Sequence, residues 1–226
     1  MQYKVVGETL PVLILDLDPN EQILTEAGAM SWMTDNLHLE TKGGGVGKVL
    51  GRMLSGDTAF QNIYTCVGRA GQIGMASKMP GSIRAFEITP QRSLILQKGA
   101  FLASTKGIDL SIHFKKKLGA SLFGGEGFIL QKVSGQGLVF VEIDGYAVDY
   151  TLAPAEKLIV DTGFLAIMDE TCTMDIVSVP GIKNILLGGE GLFNTVITGP
   201  GNVTLQTMSM SSLANCLIPF LPAPSK

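Results

Sequence analysis

The chain has 226 residues, of which 46% are hydrophobic and only 16% charged, with a formal net charge of −3 and a mean hydropathy of +0.32. This acidic balance excludes a broad basic surface of the kind that holds nucleic acid, and no run approaches the ~20 apolar residues that cross a bilayer as a helix. So much apolar area on a chain so poor in charge implies burial between subunits, and the expected partner is a further copy of the chain.

The first segment, MQYKVVGETLPVLILDLDP, carries a polar group every few residues and no small-residue cleavage site after an apolar run. It reads as neither a signal nor a transit peptide, and a cytoplasmic location is expected. LDLDPNE places Asp16 and Asp18 as in a calcium loop but lacks the central glycine and closing glutamate, so it reads as a strand end. GGGVGKV at 43–49 resembles a phosphate loop, yet Lys42 stands where the first glycine belongs and Val49 where a hydroxyl belongs. A loop between strands is expected there. Pro80-Gly81 suits a type II turn.

IDLSIHF alternates Ile108, Leu110, Ile112 and Phe114 with polar residues, the period of a half-buried strand. Lys115, Lys116 and Lys117 follow as the dense basic run of the chain. They read as a solvated strand edge, with an anionic-ligand patch as the functional alternative. Asp144-Gly145 between LVFVEI and YAV is a tight-hairpin signal, and YAVDYTL is expected to set Tyr146, Val148, Tyr150 and Leu152 on one face. LIVDTGFLAI contains Asp161-Thr162-Gly163, the triplet of aspartic proteases, whose chemistry needs a second carboxylate sharing the proton. His38 and His113 fall on the polar phase of alternating runs, and no His/Cys cluster with zinc spacing exists. Cys66, Cys172 and Cys216, odd in number and far apart, are expected as reduced, buried thiols. The apolar tail, LANCLIPFLPAP, closes the chain.

One phrase is written twice. Gly124, Gly125, Glu126, Gly127, Gly135, Gly137 and Val139 match Gly188, Gly189, Glu190, Gly191, Gly199, Gly201 and Val203 at a constant offset of 64 residues. Pro90 and Gly99 match Pro154 and Gly163 at the same offset, and Pro19 with Gly28 keeps the same internal spacing in a third, divergent copy. There Gly56-Asp57 stands for the repeated Gly-Glu, and Gly68 and Gly71 for the later Gly-x-Gly. The sequence therefore predicts an all-β chain of three tandem, pseudo-symmetric β-sandwich modules at 1–82, 83–145 and 146–210, with an apolar tail at 211–226. Glu126, Glu190 and Asp57 recur at one corner of the module. One carboxylate per module is too few for an all-oxygen metal site, so they read as acceptors that stabilise turns, and no cofactor or metal is expected.

With GETLPVLILDLDPNE, QKGAFLAS, VDTGFLAI, the two GGEG phrases and GPGNVTLQT assembled, the chain resembles the "altered inheritance of mitochondria" family over nearly its whole length. The resemblance implies a fold similar to the tryptophan RNA-binding attenuation protein, ring-like trimers, and nine modules per ring. It also implies a role in organisation more than in catalysis, since relatives are associated with inner-membrane organisation. The leading expectation is a non-enzymatic oligomeric scaffold or binding protein, with a membrane-surface or protein partner through the tail. A ring-shaped RNA-binding protein using Lys115 and Lys116 is the alternative, and a hydrolase built on Asp161 the third.

Overall fold

The computed structural model describes residues 1–42, 61–116, 127–178 and 193–221. The glycine-rich 43–49 loop, Gly56, Asp57, Lys117, Gly124, Gly125, Glu126, Gly188, Gly189 and Glu190 lie outside the described residues. Among the described residues the chain is all-β apart from short helical pieces. Its strands are β1 (Gln2–Val6), β2 (Val12–Leu17), β3 (Gln22–Glu26), β4 (Trp32–Met33), β5 (Leu37–Lys42), β6 (Gln61–Cys66), β7 (Gly71–Ala76), β8 (Gly81–Ile88), β9 (Leu94–Gln97) and β10 (Phe101–Thr105). They continue with β11 (Ile108–Lys116), β12 (Phe128–Gly135), β13 (Gly137–Asp144), β14 (Ala147–Leu152), β15 (Lys157–Asp161), β16 (Leu165–Asp169), β17 (Thr173–Ser178), β18 (Phe193–Thr198) and β19 (Gly201–Gln206).

These strands make four antiparallel sheets, ordered β1-β2-β7-β4, β5-β6-β3-β10-β13-β8, β11-β12-β9-β16-β19-β14 and β15-β18-β17. Three apolar clusters lie between successive sheets. The first joins Leu13, Leu15 and Met75 to Leu102 and Phe140, the second joins Val139 and Val141 to Leu94 and Leu96, and the third joins Ile95 and Leu130 to Val160 and Ile197. The two six-stranded sheets are thus covered on both faces, which explains their sequence: Leu138 to Val141 run apolar without alternation because Phe140 enters one cluster while Val139 and Val141 enter the next, and Glu142 is the one polar interruption before Ile143. The outer sheets alternate instead, as in β2 and β17. Each fully buried Leu, Ile or Phe contributes about 1.5–3 kcal/mol of transfer free energy.

Alternation in IDLSIHF is realised in β11, with a bulge between Ile112 and Phe114. Two turn expectations are corrected. Asp144-Gly145 is not a hairpin, since β13 belongs to the second sheet and β14 pairs with β19 in the third. The turn instead carries the chain from one sheet to the next. Pro80-Gly81 does not form a type II turn, because Gly81 starts β8 opposite Asp144 without a positive φ. Of the four residues expected on one face, Tyr146, just before β14, and Tyr150 on it are exposed whereas Leu152 is buried, and Ala147 is the other buried residue of the strand. As the edge of the third sheet, β14 has one lateral neighbour, and Asp149 on it accepts two bonds from Arg84 Nη1 of β8 at 2.8 and 2.9 Å and one from Thr204 Oγ1 at 2.7 Å. Arg84 first, then Thr204, holds the Asp149 carboxyl below its ordinary range.

The apolar tail contains a helix that its composition did not announce, α1 (Met210–Leu217), followed by a 3-10 turn at Ile218–Phe220. Ser209 caps it by accepting the Ser212 N–H at 3.1 Å. Met210, Leu217, Ile218, Phe220 and Leu221 are exposed. No helix among the described residues is long and apolar enough to cross a membrane. Cys66 and Cys172 are buried free thiols as expected, but Cys216 on α1 is exposed.

Candidate binding site

A cavity of about 280 Å³ opens where the ends of β9, β13 and β19 meet the loop between β7 and β8 and the start of α1. Its walls include Lys78, Gln97, Glu142, Asp144, Gln206 and Met210. Glu142 is the polar position of an apolar strand, and its side chain is almost fully buried. Burying a carboxylate demands donors. Ser77 Oγ and Lys78 N supply them, donating to Glu142 Oε1 at 2.6 and 2.7 Å. Gln206 holds the other wall, its Nε2 donating to Gln97 Oε1 at 3.1 Å and to the Gly163 carbonyl at 2.9 Å. Lys78 Nζ turns away to Glu26 Oε2 at 2.6 Å.

Asp144 sits beside Glu142, and its carboxyl is pushed up to about 6, by burial first and by the Glu142 charge second, with Lys78 acting in the opposite direction. The site therefore offers two carboxylates at one wall, one of which takes or loses a proton near pH 6. That pair suits a cationic or hydrogen-bond-donating group. Among the described residues, no group of three or more His, Cys, Asp and Glu side chains comes together.

The sign of the pH effect follows from that shift. A carboxyl raised in the folded state holds its proton more tightly there than in the unfolded chain, so stability is fully present below the ordinary value of 3.8, falls as pH rises to about 6, and stays reduced above it. Asp144→Asn is expected to abolish that decline and to raise the denaturation midpoint at pH 7. A midpoint series from pH 4 to 7 checks this, and parallel curves for the two proteins would count against it.

The residues singled out in the sequence lie elsewhere. Lys115 and Lys116 are exposed at the end of β11, where Lys116 Nζ reaches the Ile176 carbonyl at 3.5 Å. Asp161 uses its carboxylate locally, accepting the Gly163 N–H at 3.1 Å to cap the 3-10 turn Thr162–Phe164. Asp16 lies within β2 and accepts from Gln72 Nε2 at 2.7 Å, and Asp18 follows the end of that strand. His38 and His113 are both exposed. The structure brings none of these to the cavity. Glu142 and Asp144 were missed because they read as a strand and its turn; a lone glutamate on the inward phase of LVFVEI was the available signal.

The sequence profile of the mitochondrial biogenesis AIM24 family matches residues 3–208. The chain belongs to the AIM24 family. An uncharacterised protein of Streptococcus pyogenes serotype M6 is 28% identical over 227 aligned residues, covering 95% of this chain and 88% of that protein. A crystal structure of a Streptococcus pyogenes protein, 24% identical, superposes with a TM-score of 0.81 over 97% of this chain and 99% of its own. The AIM24 match ends at 208, just before Ser209 caps α1, so the exposed apolar helix lies beyond the part that the profile describes.

Proposed function

We propose that the chain is a non-enzymatic scaffold or binding subunit that assembles with copies of itself, three to a ring. In this reading it is built from three tandem β-sandwich modules with a fold similar to the tryptophan RNA-binding attenuation protein. The observation that carries the reading is a repeated joint. β3 pairs with β10 through Thr25–Ala103, Leu24–Ser104 and Ile23–Thr105, and β9 pairs with β16 through Leu96–Ile167, Ile95–Met168 and Leu94–Asp169. Both joints have three pairs, and β10 and β16 both carry a register shift against β13 and β19 at the same point, between Phe101 and Ala103 and between Leu165 and Ile167.

On this reading β2 to β7, β8 to β13 and β14 to β19 are three copies of one six-strand unit. Each copy divides its strands between two sheets and completes each inner sheet only with its neighbour. A unit of this size hides too little surface to stand alone, so a shared sheet is its route to a core. The exposed apolar end of α1 gives such an assembly a face for a membrane surface or a protein partner. Multi-angle light scattering tests the assembly: a particle of three times the 24.0 kDa chain mass is expected, and a monomer at micromolar concentration overturns it.

A further inference from the structure

Both internal joints have counterparts that the chain leaves open. If β4 corresponds to β10 and β16, and β15 to β3 and β9, then among the described residues the strand that each should pair with is missing: β4 pairs there only with β7, and β15 only with β18. The exposures follow the missing partners. Ile159 on β15 is 66% exposed, whereas Leu24 and Ile95 at its corresponding positions are 5% and 1% exposed. Trp32 is 48% exposed against 0% for Ala103 and 3% for Ile167, and Met33 is 37% exposed against 0% for both Ser104 and Met168. An apolar open edge is a template for a further strand, and soluble β proteins ordinarily blunt such edges with charge or proline. The segments that would pair, Trp32 with Met33 and Leu158 with Ile159 and Val160, carry neither, and the charges of β15 stand only at its ends, Lys157 and Asp161.

We infer that β4 of one copy pairs antiparallel with β15 of the next, in the register Trp32–Val160, Met33–Ile159 and Thr34–Leu158. The inference rests on the modular reading above and adds which edges meet and how. The register comes from the two internal joints: Ala103–Thr25 and Ile167–Leu96 fix the first pair, Ser104–Leu24 and Met168–Ile95 the second, and Thr105–Ile23 and Asp169–Leu94 the third. The occupant of each edge is therefore a second copy of this chain, because the strand that fits β15 is the one this chain presents at β4. Joining them turns the four-stranded first sheet of one copy and the three-stranded last sheet of another into one sheet, with the half-sheets arranged as in the two inner sheets. Side chains alternate across the pair. Met33 and Ile159 share one face, while Trp32 and Val160 share the other, where Val160 already belongs to the third cluster. The contact is heterologous, head to tail, the type that generates a ring when its rotation closes.

Disulfide trapping tests the register. Directly opposed antiparallel residues have Cα atoms about 4.5–5.5 Å apart, inside the range that a disulfide spans. In a Cys216→Ser background, Met33→Cys with Ile159→Cys is expected to give reducible covalent dimers and trimers under mild oxidation. Met33→Cys with Val177→Cys, two strands away from the edge, is expected to give none. A non-oxidative arm keeps the result independent of cysteine chemistry: Ile159→Lys, at a solvent-facing site that does not disturb the fold, is expected to weaken assembly at least about tenfold. It is also expected to shift the emission of Trp32, the single tryptophan, to longer wavelength. A trimer that persists by light scattering in Ile159→Lys, with no cross-link at 33 and 159, overturns this interface while leaving the assembly standing. A monomeric parent protein overturns the assembly, and this interface with it.

Discussion

Phe140→Ala is expected to cost about 3–5 kcal/mol of folding free energy, the range for removing a buried phenylalanine. The ring is completely buried in the middle of β13 and meets Tyr3 of β1 edge to face, with centroids 5.1 Å apart. Its cavity cannot be filled by relaxation of one neighbour, because the strand that carries it also presents Val139 and Val141 to the cluster on the opposite side. A shift of β13 toward the void would loosen that second packing. Against a typical total of 5–15 kcal/mol, the loss is a large fraction of the chain's stability. Urea denaturation with unchanged slope and a lowered midpoint is the expected observation. Phe140→Leu should recover roughly half of the loss, and a deficit below about 1 kcal/mol in the alanine variant would show that the two clusters are not coupled through β13.

Gly135→Ala is expected to be more disruptive than its size suggests. Gly135 ends β12 opposite Ile108 at a φ of +106°, and a Cβ built there would sit on the carbonyl oxygen of Gly107, which already accepts the Gln136 N–H at 3.0 Å. Backbone strain of about 1–3 kcal/mol adds to a steric conflict that no rotamer can relieve. Gly28→Ala is the matched control, since Gly28 also has a positive φ of +78° but open space around the missing Cβ. It should cost only the left-handed penalty of about 1–2 kcal/mol. Thermal denaturation of the two variants side by side separates conformation from collision, and equal losses would mean that the β11–β12 joint yields easily.

These positions also show what could be read from residues alone. The alternation of IDLSIHF and the period-two runs around it disclosed strands, because half-buried strands record their burial as alternation. The repeated Gly-x-Gly spacing disclosed where strands meet, with Gly135 closing β12 and Gly137 and Gly201 opening β13 and β19. Sheet membership was hidden. Asp144-Gly145 encodes a sharp local bend, and nothing local distinguishes a bend that returns a strand to its own sheet from one that delivers it to the next. A period of two puts Tyr146 and Tyr150 on the face of Leu152, but β14 is an edge strand, and Tyr146 just before it is 76% exposed whereas Leu152 is buried. Helix α1 escaped notice because eight residues are too few to display a 3.6 period, leaving Ser209 as the one local sign. The candidate site was least visible of all: Glu142, Asp144, Gln97 and Gln206 are brought together from three sheet strands, and their proximity exists only after the sheets have stacked.

The two-faced inner sheets have a consequence for how the molecule comes apart. Leu94 and Leu96 leave β9 on one side and Ile95 on the other, so peeling β9 away opens two neighbouring cores in the same event. Melting should therefore spread along the stack from whichever end begins, and the chain behaves less like beads on a string than like a pile of plates in which no middle plate can be drawn out alone.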